Sequence, residues 1–515
     1  MSRAARWRLP VALTLLTFCL STCWAMLTPV FHSPDEPEHY DLITALAADA
    51  RYPEYDGRAL NPTIQELSRV MLNSGEGSRA PHLGGAEPKA FVGSANLSDP
   101  PVGDVRYGSN QMPQHPPLYY ESLAGAVRAM RLVHPGDRAP SVASEVLFLR
   151  ILNAAIACTV PLAAVIALRL LRDGRSRGLA AGLACLAVPQ FSHISGSINN
   201  DNLLNVLAAW AVVSFLAILR RGLTWRRAAL AGVLVGLAAM TKAFGLLLVP
   251  ILGVVLVVAL VRSDDRRRLL GPASLAVVAT GVLGGWFWLS NLATHGSLAP
   301  TTFFERVPAL PGDQDTPQWW WTKRAASTIP ERFWLSAGRY AVTFPSWAWL
   351  TLTTVGVVLA VVGLVRCWRR GRVVEALVAL GPFVLTLGYV VKHANTIYVR
   401  TGWISFLQGR YLFVGLAGLA AVVGLGLPSV QAMWPRRVAP IAVVAIQAVA
   451  LVMSATTFWG DGGGLAPGTW WRAIDTWQPW PPAVLLAAIV GALVATTALI
   501  LDPAHPTEDA ATPDR

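Results

Sequence analysis

Long apolar runs recur from one end of the sequence to the other, and they limit the folds that the chain can adopt. The 515 residues are 54% apolar and only 14% charged, whereas a soluble domain usually has about 25% charged residues. A helix needs about 20 mostly apolar residues to cross the hydrocarbon core of a membrane, and runs of that length occur about twelve times here. The sequence therefore predicts an all-α polytopic membrane protein with about twelve transmembrane helices.

Arginine clusters between the apolar runs indicate the direction of the spans. The net charge is +12, and clusters such as RLLRDGRSR, RRGLTWRR and RCWRRGR all fall on one side of the membrane when the spans alternate, which is the positive-inside pattern. The basic N-terminal tail SRAARWR lies on that side too, so both termini are expected in the cytoplasm. Nucleic acid is not expected as a partner, because the arginines sit in separate loops and form no single basic patch.

Two long polar segments are expected on the outer side. Residues 31–144 form a Pro- and Gly-rich first loop, in which QHPPLYYESLAGAVRAM is predicted to be a helix on the outer surface, and residues 290–346 form a second loop. With the spans around them they make one module, residues 1–456. A Trp-rich outer loop with the last span (457–501) and a cytoplasmic tail (502–515) follow. The five cysteines lie in or beside apolar runs, so no disulfide framework is expected.

The stretch HSPDEPEHYD follows the first apolar run, Leu9–Val30, and holds six ionisable side chains in ten residues. Asp35 and Glu36 are candidates for a catalytic base, since Pro34 and Pro37 fix the backbone around them. The same two carboxylates could instead bind a divalent metal such as Mg, Mn or Ca. A solvated loop that caps the first span is the non-functional alternative. The prolines are expected to break the helical spacing that a helix-borne histidine pair would need.

Other polar residues are expected at the same outer side, where different spans end, and they are candidates for substrate binding. Each also has a structural alternative: a histidine can start a surface helix, an aspartate can cap a span, and a cation can anchor at the interface. A lysine at the tip of a short hairpin and an arginine that begins a span are well placed to bind a lipid phosphate. These candidates are His39, His115, Asp201, Lys242, Arg400, Arg410 and Tyr411.

Several of these residues stand in motifs that resemble a known superfamily. In chain order the motifs are Asp-Glu-Pro-x-His after the first span, HPPLYY, NNDNL, TKAFGLLLVP and QGRYLF. They resemble the GT-C membrane glycosyltransferases, and more narrowly a branch of predicted membrane proteins with Asp-Glu-Pro-x-His and Gln-Gly-Arg-Tyr motifs. The resemblance extends from about Pro34 to Phe413.

The resemblance implies a fold, a donor and a catalytic residue. It implies a polyprenyl-phosphate sugar as the donor and an acceptor outside the cytoplasmic membrane of a bacterium: a cell-envelope glycan, a lipid or a protein. A carboxylate of the first outer loop acts as the base in such enzymes, and some members also use a divalent metal. Asp35 matches that carboxylate by position, with Glu36 next to it, and the resemblance does not decide between the two.

Elementary chemistry agrees with a lipid-linked donor. A lipid phosphate leaves without a general acid but needs positive charge as its negative charge develops, a role that suits Arg410 and Lys242. Asp35 would take the proton of the attacking hydroxyl, and attack from the opposite face would invert the anomeric centre. Two other functions remain open at this point: a transporter or flippase of lipid-linked glycans, and a non-catalytic envelope scaffold.

Overall fold

The structure is a computed structural model, and it describes residues 3–48, 51–55, 57–72, 110–134, 140–172, 178–300, 309–310, 316–427, 433–462 and 464–501. The expected tail, residues 502–515, lies outside the described residues, as do parts of both expected outer loops. The described chain is helical apart from one short β-hairpin. The prediction of an all-α polytopic membrane protein is confirmed.

Ten segments of the described chain are long and apolar enough to cross a membrane. They are Arg8–Leu27, Val142–Leu171, Asp201–Arg221, Ala243–Val261, Arg266–His295, Ser346–Arg369, Val373–Thr401, Gly409–Gly426, Arg437–Trp459 and Ala483–Ile500.

Two of the roughly twelve expected spans form helices that are too short to be counted among these ten segments. The run expected at 179–198 is divided into Gly178–Leu186 and Pro189–Ser195, because a proline disfavours helical geometry in the residue before it. The run expected at 228–241 forms the 15-residue helix Trp225–Ala239. Each predicted span is thus found as helix, but a count of twelve membrane-crossing helices is not reached.

The first half of the chain contributes thirteen α-helices. Short 3-10 turns at Met112–Gln114 and Ala243–Leu247 and a π-helical turn at Gly281–Gly285 interrupt them. The helices are α1 (Arg3–Leu27), α2 (Glu36–Ala47), α3 (Pro62–Leu72), α4 (Leu118–Val133), α5 (Val142–Ala157), α6 (Val160–Leu171), α7 (Gly178–Leu186), α8 (Pro189–Ser195), α9 (Asp201–Arg221), α10 (Trp225–Ala239), α11 (Leu248–Val261), α12 (Arg266–Thr280) and α13 (Trp286–His295).

The second half adds the hairpin, seven α-helices and a 3-10 turn at Gly409–Gly415. Strands β1 (Ser336–Ala337) and β2 (Val342–Thr343) pair antiparallel, with Ser336 opposite Thr343. The helices are α14 (Gln318–Trp334), α15 (Ser346–Arg369), α16 (Val373–Thr401), α17 (Leu416–Gly426), α18 (Met433–Trp459), α19 (Pro467–Trp477) and α20 (Ala483–Ile500). The last helix, α20, packs along α1.

The acidic stretch after α1 is helical only from Glu36 onward, so His32 lies before α2 and His39 within it. The two histidines therefore do not share one helix, as the prolines led us to expect. Pro37 stands in the first turn of α2, where a proline suits a helix because the first turn needs no hydrogen bond from its backbone nitrogen. Helix α2 packs on α4, the surface helix expected from HPPLYY. The two helices cover the end of the membrane bundle at which α1 ends and α9 begins, and the polar candidates collect there.

Candidate active site

A buried ion pair fixes the start of α2 to the end of α1. The carboxylate of Glu36 and the guanidinium of Arg150 on α5 are both fully buried and form two hydrogen bonds, of 2.8 and 2.6 Å. Glu36 also accepts from the backbone N–H of Phe31, at 3.0 Å. Arg150 donates as well to the carbonyls of Ala25, Thr28 and Pro29 at the end of α1. Glu36 is therefore fully engaged in holding the scaffold.

Asp35 stands just before α2 and faces the interior of the site. Its backbone is left-handed, with φ 59°, a conformation that aspartate adopts more readily than most residues. Its carboxylate accepts a hydrogen bond of 2.5 Å from Arg410. The side chain of Asp35 remains 35% exposed, whereas that of Arg410 is 3% exposed. One carboxylate that solvent can reach is thus backed by a buried guanidinium.

Two further charges extend this pair into an alternating row, which we call the charge row: Asp35, Arg410, Asp201 and Lys242. The carboxylate of Asp201 lies 3.9 Å from Nε of Arg410 and 2.6 Å from Nζ of Lys242. Lys242 also donates to the side-chain carbonyl of Asn200, at 3.1 Å. The four charges come from the starts of α2 and α9, the α10–α11 connection and the 3-10 turn before α17, so the fold brings four distant segments together.

Aromatic rings cover the cations of the charge row. Nζ of Lys242 lies 5.2 Å from the ring centre of Tyr411 and 5.8 Å from that of Phe244. The guanidinium carbon of Arg410 lies 5.4 Å from the Tyr411 ring. Phe406 packs on both rings. The π faces stabilise the cations and limit their contact with water.

Two histidines flank the row on the side of α2 and α4. Nδ1 of His39 lies 3.0 Å from the hydroxyl of Tyr120, and the two rings stack. The same hydroxyl accepts from the side-chain amide of Asn200 at 3.3 Å. Burial lowers the pKa of His39 to about 3, and burial also lowers the pKa of His115 well below its usual value. Both imidazoles are therefore neutral near pH 7 and can serve as hydrogen-bonding groups.

The ionisation of the charge row follows from its packing. Loss of water around Asp35 acts to raise its pKa, but the positive charge of Arg410 outweighs this and holds the pKa at about 2. Burial lowers the pKa of Lys242, and the neighbouring Asp201 opposes that shift. Asp35 is ionised at neutral pH, and it is a weak base as long as its carboxylate is paired with Arg410.

Comparison with known protein families identifies the family of this chain. The family described as predicted membrane protein (DUF2142) matches residues 18–419. The chain belongs to the DUF2142 family. Among curated proteins none matches this chain.

Two solved structures are similar to this DUF2142 chain. ArnT from Cupriavidus metallidurans bound to undecaprenyl phosphate has 13% identity and a TM-score of 0.46, over 97% of this chain and 77% of its own. The apo oligosaccharyltransferase from Archaeoglobus fulgidus has 13% identity and a TM-score of 0.43, over 97% of this chain and 57% of its own.

The fold of the DUF2142 chain brings together most of the residues singled out in the sequence. Asp35, Asp201, Lys242, Arg410 and Tyr411 lie in or against the charge row, and His39 and His115 lie beside it. Glu36 is held by Arg150 instead. The side chain of Arg400 is exposed on the last turn of α16, outside the buried cluster.

Arg150 and Glu38 are among the residues of the site to which no role was assigned from the sequence. Arg150 stands inside an apolar run, and a charged residue within a span signals a buried partner. Glu38 lies three residues after Asp35, one helical turn along α2, and its Oε2 is buried without a hydrogen-bond partner in the described part of the chain. Burial, and then the charge of Asp35, raise the pKa of Glu38 to about 7.

The carboxylates proposed as metal ligands do not offer a ready site. Asp35 is paired with Arg410, and the oxygens of Glu36 are taken by Arg150 and backbone amides. In the described residues no three His, Cys, Asp or Glu side chains come together as a metal site would require. Because each of these carboxylates is paired with a guanidinium group, the two residues do not fit a metal site.

Proposed function

We propose that the chain is a membrane glycosyltransferase that moves a sugar from a polyprenyl-phosphate donor to a hydroxyl of an extracytoplasmic glycan, lipid or protein. The observation that carries this proposal is the charge row, in which a solvent-accessible carboxylate and two buried cations meet at one end of the bundle. Such a set supplies both groups that the reaction needs: a base for the acceptor and positive charge for the leaving phosphate. DUF2142 membership and the multi-pass architecture are compatible with a lipid substrate.

Asp35 is the proposed base. The oxygen of the acceptor hydroxyl attacks the anomeric carbon, the bond from that carbon to the phosphate oxygen breaks, and the hydroxyl proton passes to Asp35. Attack opposite the leaving phosphate inverts the anomeric centre. Glu36 was the other candidate from the sequence, but its carboxylate is fully buried and bonded to Arg150, so it has no free oxygen to receive a proton.

Arg410 and Lys242 are the proposed phosphate-binding pair. As the donor bond breaks, negative charge grows on the lipid phosphate, and both cations stabilise it in a site that rings and helices shield from water. The planar guanidinium can hold two phosphate oxygens at once. Lys242 supplies a second point of contact from the other side of Asp201.

Donor binding and base activation are coupled through Arg410. Without a donor, Arg410 binds Asp35 and keeps its pKa at about 2. A phosphate that takes over the guanidinium leaves Asp35 with less positive charge beside it, so the carboxylate becomes more basic. The base therefore gains strength when the donor is in place, and the neutral His39 and His115 are available to orient sugar or acceptor hydroxyls.

The test is a transfer assay with purified full-length protein in nanodiscs and a panel of polyprenyl-phosphate sugars. Asp35→Asn is expected to lower the rate of transfer about a hundredfold or more. Glu121→Gln is the matched control, because Glu121 is an exposed carboxylate on α4. Equal rates for Asp35→Asn and the wild type overturn the proposed base. Movement of donor lipid between leaflets without sugar transfer supports a flippase instead. If the protein shows neither activity, a non-catalytic scaffold is supported.

A further inference from the structure

Three of the four carboxylates in the stretch HSPDEPEHYD are paired with an arginine. Asp35 and Glu36 have the guanidinium partners described above, and Asp41 accepts two hydrogen bonds from Arg58, at 2.7 and 2.8 Å. The fourth carboxylate belongs to Glu38, whose Oε2 is buried without a hydrogen-bond partner among the residues that the structure describes. A buried carboxyl oxygen without a partner costs free energy, so a ligand that bonds to it would be stabilised.

Glu38 is held beside the proposed base. It lies in the first turn of α2, and the side-chain amide of Asn110 donates to its backbone carbonyl at 2.8 Å. After burial, the charge of Asp35 has the largest effect on the pKa of Glu38, so the two carboxyl groups lie close to each other. The backbone of Glu38 is thus fixed, while the buried oxygen of its side chain stays available next to Asp35.

The tip of the β-hairpin brings further polar groups to this side of the site. Arg339 and Tyr340 form the tip, and both have a left-handed backbone, with φ 54° and 73°. The hydroxyl of Tyr340 accepts a hydrogen bond from the side-chain amide of Gln408, which stands just before the 3-10 turn that leads into α17. The guanidinium of Arg339 donates to the hydroxyl of Ser68 on α3 at 3.3 Å, and not to the buried oxygen of Glu38.

The charges around Glu38 favour a neutral ligand. The charge row has two carboxylates and two cations. Burial and the charge of Asp35 raise the pKa of Glu38 to about 7, against the opposing positive charge of Arg339. Near neutral pH the Glu38 carboxyl is therefore present in both forms, one of which accepts hydrogen bonds and the other of which also donates one. Hydroxyl groups donate and accept as well, so they suit either form of the carboxyl.

We propose that Glu38 binds a second hydroxyl of the acceptor, beside the hydroxyl that Asp35 deprotonates, and that the acceptor is a carbohydrate with neighbouring hydroxyls. The inference rests on the proposed function. A sugar ring presents two hydroxyls in a fixed relation, so two adjacent carboxyl groups can bind it at once. A serine side chain of a protein or a fatty alcohol offers one hydroxyl and would leave Glu38 without a partner. Glu38 positions the acceptor, and the proton of the attacking hydroxyl still passes to Asp35.

The test measures binding of methyl hexosides, their monodeoxy analogues and a serine-containing peptide to full-length protein in phosphatidylcholine nanodiscs, by saturation-transfer NMR. Glu38→Ala is expected to weaken binding of a hexoside about tenfold. Glu38→Gln should restore most of the affinity, because an amide still accepts and donates. One monodeoxy analogue should bind the wild type weakly, and Glu38→Ala should no longer distinguish it from its parent sugar. Glu121→Ala, at an exposed carboxylate on α4, is the control and should bind like the wild type.

The same variants in the transfer assay separate this inference from the proposed function. If Glu38→Ala binds the hexosides as the wild type does, or loses every probe together with a lower thermal midpoint, Glu38 is not an acceptor ligand and the inference fails. If the wild type transfers sugar to the peptide and not to the hexosides, the acceptor is a protein, so the inference is wrong while the proposed function stands. If the hexosides bind through Glu38 but receive no sugar from any polyprenyl-phosphate donor, the proposed function fails, and the role of Glu38 in acceptor binding fails with it.

Discussion

Arg410 and Asp35 lie 375 positions apart in the sequence, yet the guanidinium of one donates to the carboxylate of the other at 2.5 Å. The pair joins the first polar segment after α1 to the turn that begins α17. Asp35, the proposed base, would therefore compete with a donor phosphate for Arg410, the proposed phosphate ligand.

Removing the charge of Asp35 is expected to strengthen phosphate binding while it lowers the rate of transfer about a hundredfold or more. In Asp35→Asn the guanidinium of Arg410 loses its competing anion, so the affinity for undecaprenyl phosphate should rise severalfold, by about 1 kcal/mol. The measurement is a binding titration in nanodiscs beside the transfer assay. A variant that loses both binding and transfer would show that Asp35 helps to hold the phosphate, against the competition described here.

Replacing Arg410 by lysine is expected to lower the rate of transfer about a hundredfold. A lysine keeps the positive charge but lacks the planar guanidinium, so it cannot donate two parallel hydrogen bonds to a phosphate. Steady-state kinetics on the donor measure the effect. Arg226→Lys, at the exposed start of α10, is the control and should behave like the wild type; equal rates for both variants would exclude a bidentate role.

The buried pair of Glu36 and Arg150 is expected to stabilise the fold and to take no part in the reaction directly. Arg150→Met leaves an unpaired carboxylate among buried groups and should lower the free energy of unfolding by about 3–5 kcal/mol. The double variant with Glu36→Gln should recover part of that loss, because no buried charge remains. Thermal unfolding followed by tryptophan fluorescence measures both. A double variant no more stable than Arg150→Met would contradict this account.

Glu38 is expected to make stability depend on pH. Its pKa is about 7 in the folded protein and near 4.3 in an unfolded chain, so the folded state holds the extra proton between these values. The stability contributed by Glu38 is present at and below about pH 4.3 and is lost as the pH rises through 7. The free energy of unfolding, measured from pH 5 to 8, should therefore fall more steeply for the wild type than for Glu38→Gln. Parallel curves for the two proteins would refute the raised pKa of Glu38.

The charge row is expected to face the outside of the cytoplasmic membrane. A cysteine in place of Glu121, on the surface helix α4, should react in intact cells with a maleimide that does not cross the membrane. A cysteine in place of Arg226 should react only after permeabilisation, because the arginine-rich ends lie inside. Wild-type protein corrects for its own thiols, of which four are buried. The opposite pattern would place the chemistry in the cytoplasm.

The sequence was informative about segments and less so about contacts. Apolar length and arginine clusters suffice to place the helices, because membrane thickness and charge asymmetry act locally along the chain. The shortfall from twelve spans has a local cause as well, since Pro189 divides one run. The helix after α1 was not foreseen, because proline was taken as a helix breaker although it suits a first turn.

The partners within the site could not be read from one sequence. Which cation meets Asp35 depends on how α2, α9 and the turn before α17 pack in three dimensions. For the same reason the sequence leaves the choice between Asp35 and Glu36 open. The pairing of Glu36 with Arg150, which supports Asp35 as the proposed base, exists only in three dimensions. The one local sign of that pair was an arginine in the middle of an apolar run, where an unpaired charge would be costly.

The packing of α20 along α1 has a consequence for biogenesis. A Cβ at Gly491 would lie 2.7 Å from the sulfur of Cys19, so the first and last described spans are in close contact. During synthesis the face of α1 that contacts α20 must therefore be covered by lipid or by the insertion machinery until residues near 490 have left the ribosome. A chain that stops short of α20 would still contain all four residues of the charge row, but its bundle would be left open along the face of α1 that α20 covers.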